Sequence, residues 1–279
     1  MEECKKCQIR SVDLLVKRFS PDIELEKTFK DQANIIIENN KDNSPLLATK
    51  INRLASDLFQ CNDIYKKEKA FANNLLLTHF DYWKKIVGSG ELAFNKALKL
   101  AVVGNIIDYG AHSVPDDILA HVKELYRREF AVDDSERLYQ DILNAKSILY
   151  LGDNAGEIVF DRLLIENIKH KNITFAVRGN AVINDVTVND ASEVKMHQLC
   201  KVIDNGFDAP STILDYCNES FKEKFNEADL IISKGQGNFE GLMNCGKTNI
   251  CFLLMAKCNY IADKLGVTKG DLVVKYLNN

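Results

Sequence analysis

Apolar residues recur at three- to four-residue intervals through the first half of the chain. Val12, Leu15, Val16 and Phe19 fall on one helical face, as do Leu46, Leu47, Ile51, Leu54, Ala55 and Leu58. Segments of the same period run over 65–87, 91–107, 116–128 and 134–145. Prolines at 21, 45, 115 and 210 each precede a periodic stretch and interrupt none, which suits a residue tolerated at the first helical turn. Ser20 and Ser44 are natural N-caps. At Ser147 the pattern changes. Short apolar runs appear at 147–152, 173–177, 201–203, 229–233, 250–254 and 272–276, separated by helical periods at 157–169, 212–225 and 257–265. Buried strands alternating with helices predict a mostly parallel sheet covered on both faces. The chain is therefore expected to be α/β, with a helical bundle or cap domain over 1–145 and a three-layer α/β/α domain over 146–279.

Composition narrows the function classes. The 279 residues carry 36 Lys and Arg against 40 Asp and Glu, a net charge of −4, which argues against a nucleic-acid partner. Hydrophobic residues at 46% are enough for a real core, yet the longest apolar runs are about five residues, far short of the roughly 20 that cross a bilayer. No signal-like stretch opens the sequence, so a cytoplasmic location and no membrane partner are expected. In that setting the eight cysteines read as free thiols or metal ligands rather than a disulfide framework. The five histidines show no metal-binding spacing.

Open α/β sheets place ligands at the C-terminal ends of their strands, and three polar clusters fall there. The first is Gly152-Asp153-Asn154-Ala155-Gly156-Glu157, where a carboxylate and an amide can offer oxygens to one hard cation ahead of a helix N-terminus. The second is Arg178-Gly179-Asn180 with Asn184-Asp185-Val186-Thr187 and Asp190; Asp185 can add a carboxylate and Arg178 can grip a phosphate. The third, Ser233-Lys234-Gly235-Gln236-Gly237-Asn238, is similar to an anion-cradling loop but is not a Walker motif. Taken singly, each is also an ordinary turn. Together, oxygen ligands beside basic residues fit a divalent cation with an anionic ligand, and hydrolysis of a phosphate ester is the reaction they serve best.

These clusters, with Asp161 and the segment Gly104-Asn105-Ile106-Ile107-Asp108-Tyr109-Gly110, resemble the damage-control phosphatase family over essentially the whole chain. The resemblance implies an α/β/α domain with a helical N-terminal part and a metal-dependent phosphatase of small phosphorylated metabolites, such as sugar phosphates or phosphopantetheine-like compounds. It implies metal ligation by Asp153, Asn154 and Asp185, with Mn²⁺, Mg²⁺, Co²⁺ or Ni²⁺ as the cation, and contact of Lys234 with the substrate phosphate. Asp153, Asp185 and Lys234 are the expected catalytic groups. Glu157, Arg178, Asn180, Gly235, Gln236, Asn238, Asn105 and Asp108 are the expected substrate-binding ones.

Two other readings stay open at this level: a carboxyl methyltransferase using S-adenosylmethionine, and a non-enzymatic module that binds a metal or phosphometabolite. Cys4 and Cys7 resemble the N-terminal cysteine pair of the family's prokaryotic branch. They form half of a candidate second metal site, with Cys61 and Cys258 as conceivable partners. Trp83 reads as core, and Lys66-Lys67-Glu68-Lys69 as a solvated helix face.

Overall fold

A computed structural model describes residues 2–41, 43–90, 92–107 and 117–277. The first three helices, α1 (Glu2–Phe19), α2 (Ile23–Glu38) and α3 (Ser44–Leu58), pack on one another through Val12, Leu15, Phe29, Ala33, Leu47 and Ile51. Asp22 and Asn43, rather than Ser20 and Ser44, cap α2 and α3 by accepting a backbone N–H three residues on. The period read over 65–87 is two helices, α4 (Lys66–Thr78) and α5 (Phe80–Val87), joined at His79. Next come α6 (Ala93–Val103), a short 3₁₀ turn over Gly104–Ile106, and α7 (Ile118–Leu125).

A strand then interrupts the expected run of helices. β1 (Phe130–Asp133) precedes α8 (Ser135–Asn144) and lies at one edge of the sheet. Four residues between two helices are too few for an alternating pattern to register. The remaining elements are β2 (Ile148–Leu151), α9 (Glu157–Ile168), β3 (Ile173–Val177), α10 (Val188–Glu193), β4 (Lys201–Asp204), α11 (Glu219–Glu227), β5 (Leu230–Lys234), α12 (Gly235–Leu242), β6 (Ile250–Met255), α13 (Asn259–Leu265) and β7 (Leu272–Tyr276). All six strands read from the sequence are present. The expected loop after Lys234 is instead the helix α12.

The seven strands lie in the order β1-β7-β6-β5-β2-β3-β4. Neighbours from β6 to β4 are parallel, β7 runs antiparallel to β6, and β1 is parallel to β7. Side chains alternate between two cores. Tyr150, Phe175, Ile232 and Leu253 face α4 to α9, where Trp83 is buried against Phe160. Leu149, Leu151, Ile231 and Phe252 face α11, α12 and α13. Three layers result, with the α1–α3 bundle beside them. After β2 the chain builds outward through β3 and β4, then returns to place β5 on the other side of β2. The crevice at this reversal, beyond the ends of β2 and β5, is where such sheets bind ligands.

Candidate active site

Asp153 and Asn154 follow β2, and Asp185 follows β3. Backbone bonds join the two loops: Val186 N–H donates to the Asp153 carbonyl at 2.8 Å, Ala155 N–H to the Asn184 carbonyl at 2.9 Å, and Asn154 and Asp185 form an antiparallel bridge. All three side chains line one cavity of about 120 Å³. Gly235, opening α12 from the end of β5, presses its backbone against Asp153. A side chain there would begin 1.9 Å from the Asp153 Oδ2, and its φ of 79° suits glycine alone. Gly156 starts α9 at φ 80° and abuts Ala72 on α4. Ile183, on the cavity wall, holds φ 45°, a strained value for a β-branched residue.

Around these oxygens lies a buried polar network. Arg178 donates from Nε to Asp185 at 2.7 Å and from Nη1 to Asn238 at 3.0 Å. Its Nη2 lies 3.6 Å from Asp153 Oδ1 and makes no hydrogen bond. Asn105 donates to Asp153 at 3.0 Å and to Glu157 at 3.1 Å, while its own oxygen accepts the Met255 N–H at 3.2 Å. Asn154 donates to Asp153 at 2.7 Å. Asn238 fixes two strand ends by donating to the carbonyls of Gly152 and Lys234. Lys234 has no solvent exposure; it pairs with Glu157 at 2.7 Å and with Asp161, which also accepts from Tyr150. Burial works to lower the Lys234 pKa, but Asp161 and Glu157 outweigh it and raise it. Burial pushes Asp161 up to about 6, against the pull of Lys234.

The structure thus gathers Asp153, Asn154, Asp185 and Gln236 at the cavity and places Glu157, Arg178, Asn105, Asn238 and Lys234 immediately behind it. In this arrangement Lys234 and Arg178 hold carboxylates in position rather than facing the cavity. Asn180 lies exposed and outside the lining, and Asp108 lies outside the described residues. Cys7 lines the cavity and Cys4 a neighbouring one. Among the described residues no third His, Cys, Asp or Glu joins Cys4 and Cys7 in a group that could hold a metal.

Two groups were not read from the sequence. Lys257, two residues beyond β6, lines the cavity and is nearly buried; its N–H donates to Gln236 Oε1 at 2.9 Å. Its position after a strand end was the available signal, but the apolar run Ile250–Leu254 passed directly into an expected helix at 257. Glu240, one turn after Gln236, also lines the cavity and accepts from the Gln236 amide at 3.1 Å. Burial pushes its carboxyl up to about 7, with the Gln236 bond partly offsetting this.

The donor set suits a hard cation. Asp153 is held well above the usual carboxylate range, first by burial and then by Asp185 and Glu157, and Lys257 and Arg178 only partly counter this. Asp185 and Glu157 thus set like charge beside Asp153, and the available donors are oxygens. Residues 1–273 match the family of the damage-control phosphatase ARMT1-like domain. The chain belongs to this family. It is 33% identical over 277 residues to damage-control phosphatase PH1575 of Pyrococcus horikoshii, covering 97% of this chain and 96% of that one. A damage-control phosphatase of Archaeoglobus fulgidus is 32% identical over 281 residues, covering 98% and 97%. The crystal structure of the DUF89 family protein PH1575 superposes with a TM-score of 0.89 at 30% identity, covering 100% of this chain and 99% of that chain. No helix among the described residues is long and apolar enough to cross a membrane.

Proposed function

We propose that the chain is a divalent-metal-dependent phosphatase of small phosphate monoesters. The observation that carries this reading is the shared cavity of Asp153, Asn154 and Asp185, with Lys257 on its wall. Those three residues would hold Mn²⁺, Mg²⁺, Co²⁺ or Ni²⁺. When bound, such an ion supplies an acidified water and neutralises phosphoryl oxygens.

The remaining work falls to the chain itself. Arg178 fixes Asp185 through Nε, and Asn105 and Asn154 fix Asp153, so the ligand oxygens keep their directions without rearranging during turnover. Lys257 brings positive charge to the wall where the phosphoryl group enters. The N-terminal end of α12 adds Gly237 and Gln236 to the lining. Residues of α1 and α3, including Gln8, Pro45 and Ala48, cover the opening and limit access of bulk water.

A panel of phosphate esters assayed with each metal tests this reading. Asp153→Ala and Asp185→Ala are expected to lower turnover by about a thousandfold or more while leaving a folded chain. Metal-dependent hydrolysis that persists in both variants refutes the assignment. Lys257→Ala is expected to act mainly on KM, by about tenfold or more, because it removes a charge-assisted contact to the phosphoryl group.

A further inference from the structure

An alkyl phosphate ester leaves behind an alkoxide, a poor leaving group at neutral pH unless it is protonated as it departs. Asp153 and Asp185 cannot supply that proton, since carboxylates that hold a cation must be deprotonated. Lys257 serves the cavity as positive charge. Glu240 is the remaining carboxyl on the wall, and among the described residues it forms no ion pair with any lysine or arginine. Its place along α12 is informative. Gly235 packs on Asp153, and Glu240 lies about 7.5 Å further along the helix axis at about 1.5 Å per residue. Glu240 therefore stands at the outer end of the cavity of about 120 Å³, on a wall shared with a neighbouring cavity of about 180 Å³. When a phosphoryl group fills the inner cavity, the alcohol part lies outside it. The oxygen that bridges the two then sits at the boundary that Glu240 marks.

We propose that Glu240 is the general acid of the reaction, the group that protonates the bridging oxygen as its bond to phosphorus breaks. The inference rests on the phosphatase reading above. Gln236 aims the carboxyl: its amide donates to Glu240 Oε1 at 3.1 Å while its own oxygen accepts the Lys257 N–H at 2.9 Å. Glu240 Oε2 is left to face the substrate. The proton passes from Oε2 to the bridging oxygen, which keeps the electron pair of the broken bond and departs as the alcohol. Water supplies the oxygen that replaces it at phosphorus, and the proton this water releases restores the carboxyl. Burial pushes Glu240 up to about 7, so a share of the molecules holds the proton at neutral pH. In the inner cavity Asp153, Asp185, Lys257 and Cys7 surround it, and in the outer one Cys4, Lys5 and Tyr260. Cys258, which also accepts from Gln236, lies beside Glu240 and Glu3.

The test compares two esters, ethyl phosphate and p-nitrophenyl phosphate, whose phenolate leaves readily without a proton. Glu240→Gln is expected to lower kcat/KM for ethyl phosphate by about 10²–10⁴-fold, and for p-nitrophenyl phosphate by at least about tenfold less. In the parent, kcat/KM for ethyl phosphate should fall with rising pH above neutrality more steeply than for p-nitrophenyl phosphate. That difference should vanish in Glu240→Gln, which has no proton to lose. Calorimetric titration with Mn²⁺ should give parent and variant affinities within about threefold, short of the tenfold or greater loss that follows removal of a group supporting a metal. Equal losses on the two esters overturn the assignment, as does a tenfold loss of Mn²⁺ affinity. Should Glu240→Gln fail to fold, the parent decides alone, and parallel pH profiles for its two esters overturn the acid. No turnover of either ester by the parent with Mn²⁺, Mg²⁺, Co²⁺ or Ni²⁺ instead overturns the phosphatase reading and takes the acid with it.

Discussion

Three lysines show how differently one residue type can be used. Lys234 follows a strand and precedes two glycines, a context that suggests an ammonium above an anion. The fold buries it completely between Glu157 and Asp161. Lys234→Ala would leave two buried carboxylates without their cation, and a loss of about 3–5 kcal/mol in unfolding free energy is expected from denaturant titration. Adding Glu157→Gln and Asp161→Asn to that variant should recover a large part of the loss, since neutral amides need no counter-charge. Lys69 reads as part of a solvated face, yet it is buried against Asp190 and Asp63. Lys257, which carried no sequence signal beyond its place after a strand, faces the cavity. Local sequence reveals the charge but not the partner, because each partner lies on a different element. Glu240 gives a pH signature of its own. Its folded pKa of about 7 lies above the ordinary glutamate value of 4.5, so the fold binds its proton more tightly than the unfolded chain does. That contribution is complete below about 4.5 and is lost as pH rises through 7. Thermal melts at pH 5 and pH 8 should differ less for Glu240→Gln than for the parent.

Among the elements, α4 links the helical region to the loops that carry Asp153 and Asp185. Lys69 reaches Asp190, which belongs to the capping box that Thr187 forms at the start of α10. One turn on, Asn73 accepts the Gly156 N–H at 2.7 Å and donates to Glu193 at 3.1 Å. One helix thereby braces the loop after β2 and the segment after Asp185. Asn73→Ala is expected to weaken metal binding by about 10- to 100-fold, the usual effect of removing a group that orients a ligand loop. It should cost only about 1–3 kcal/mol in global stability. Calorimetric titration with Mn²⁺ beside a denaturant curve separates the two; equal affinity in parent and variant would remove the bracing role. The elements themselves were largely legible. Long periods gave the helices, and short apolar runs gave six strands. β1 escaped because it is brief and marginal to the sheet, and α12 because Gly235 and Gly237 are poor helix formers whose value lies in close approach to Asp153 and to the Pro210 carbonyl.

For the molecule as a whole, the family and the sheet were readable because the three polar clusters all follow strands, whose shared edge is dictated by topology rather than by local sequence. The cover supplied by α1 and α3 was not readable, since helical periodicity shows which face is buried but not what that face meets. Arg53 on α3 pairs with Asp208 beyond β4 and helps to hold that cover in place. An ion that binds only the folded chain must also stabilise it. At about a hundred times its dissociation constant, Mn²⁺ is expected to add about 2.7 kcal/mol, read as a rise of several degrees in Tm. The rise should vanish in Asp153→Ala. The strand order has a temporal consequence as well. β5 takes its place beside β2, and β6 beside β5, only after β3 and β4 have been made, and Lys257 follows β6. A polypeptide still emerging from the ribosome therefore lacks a complete pocket until β6 and the residues just beyond it have been made.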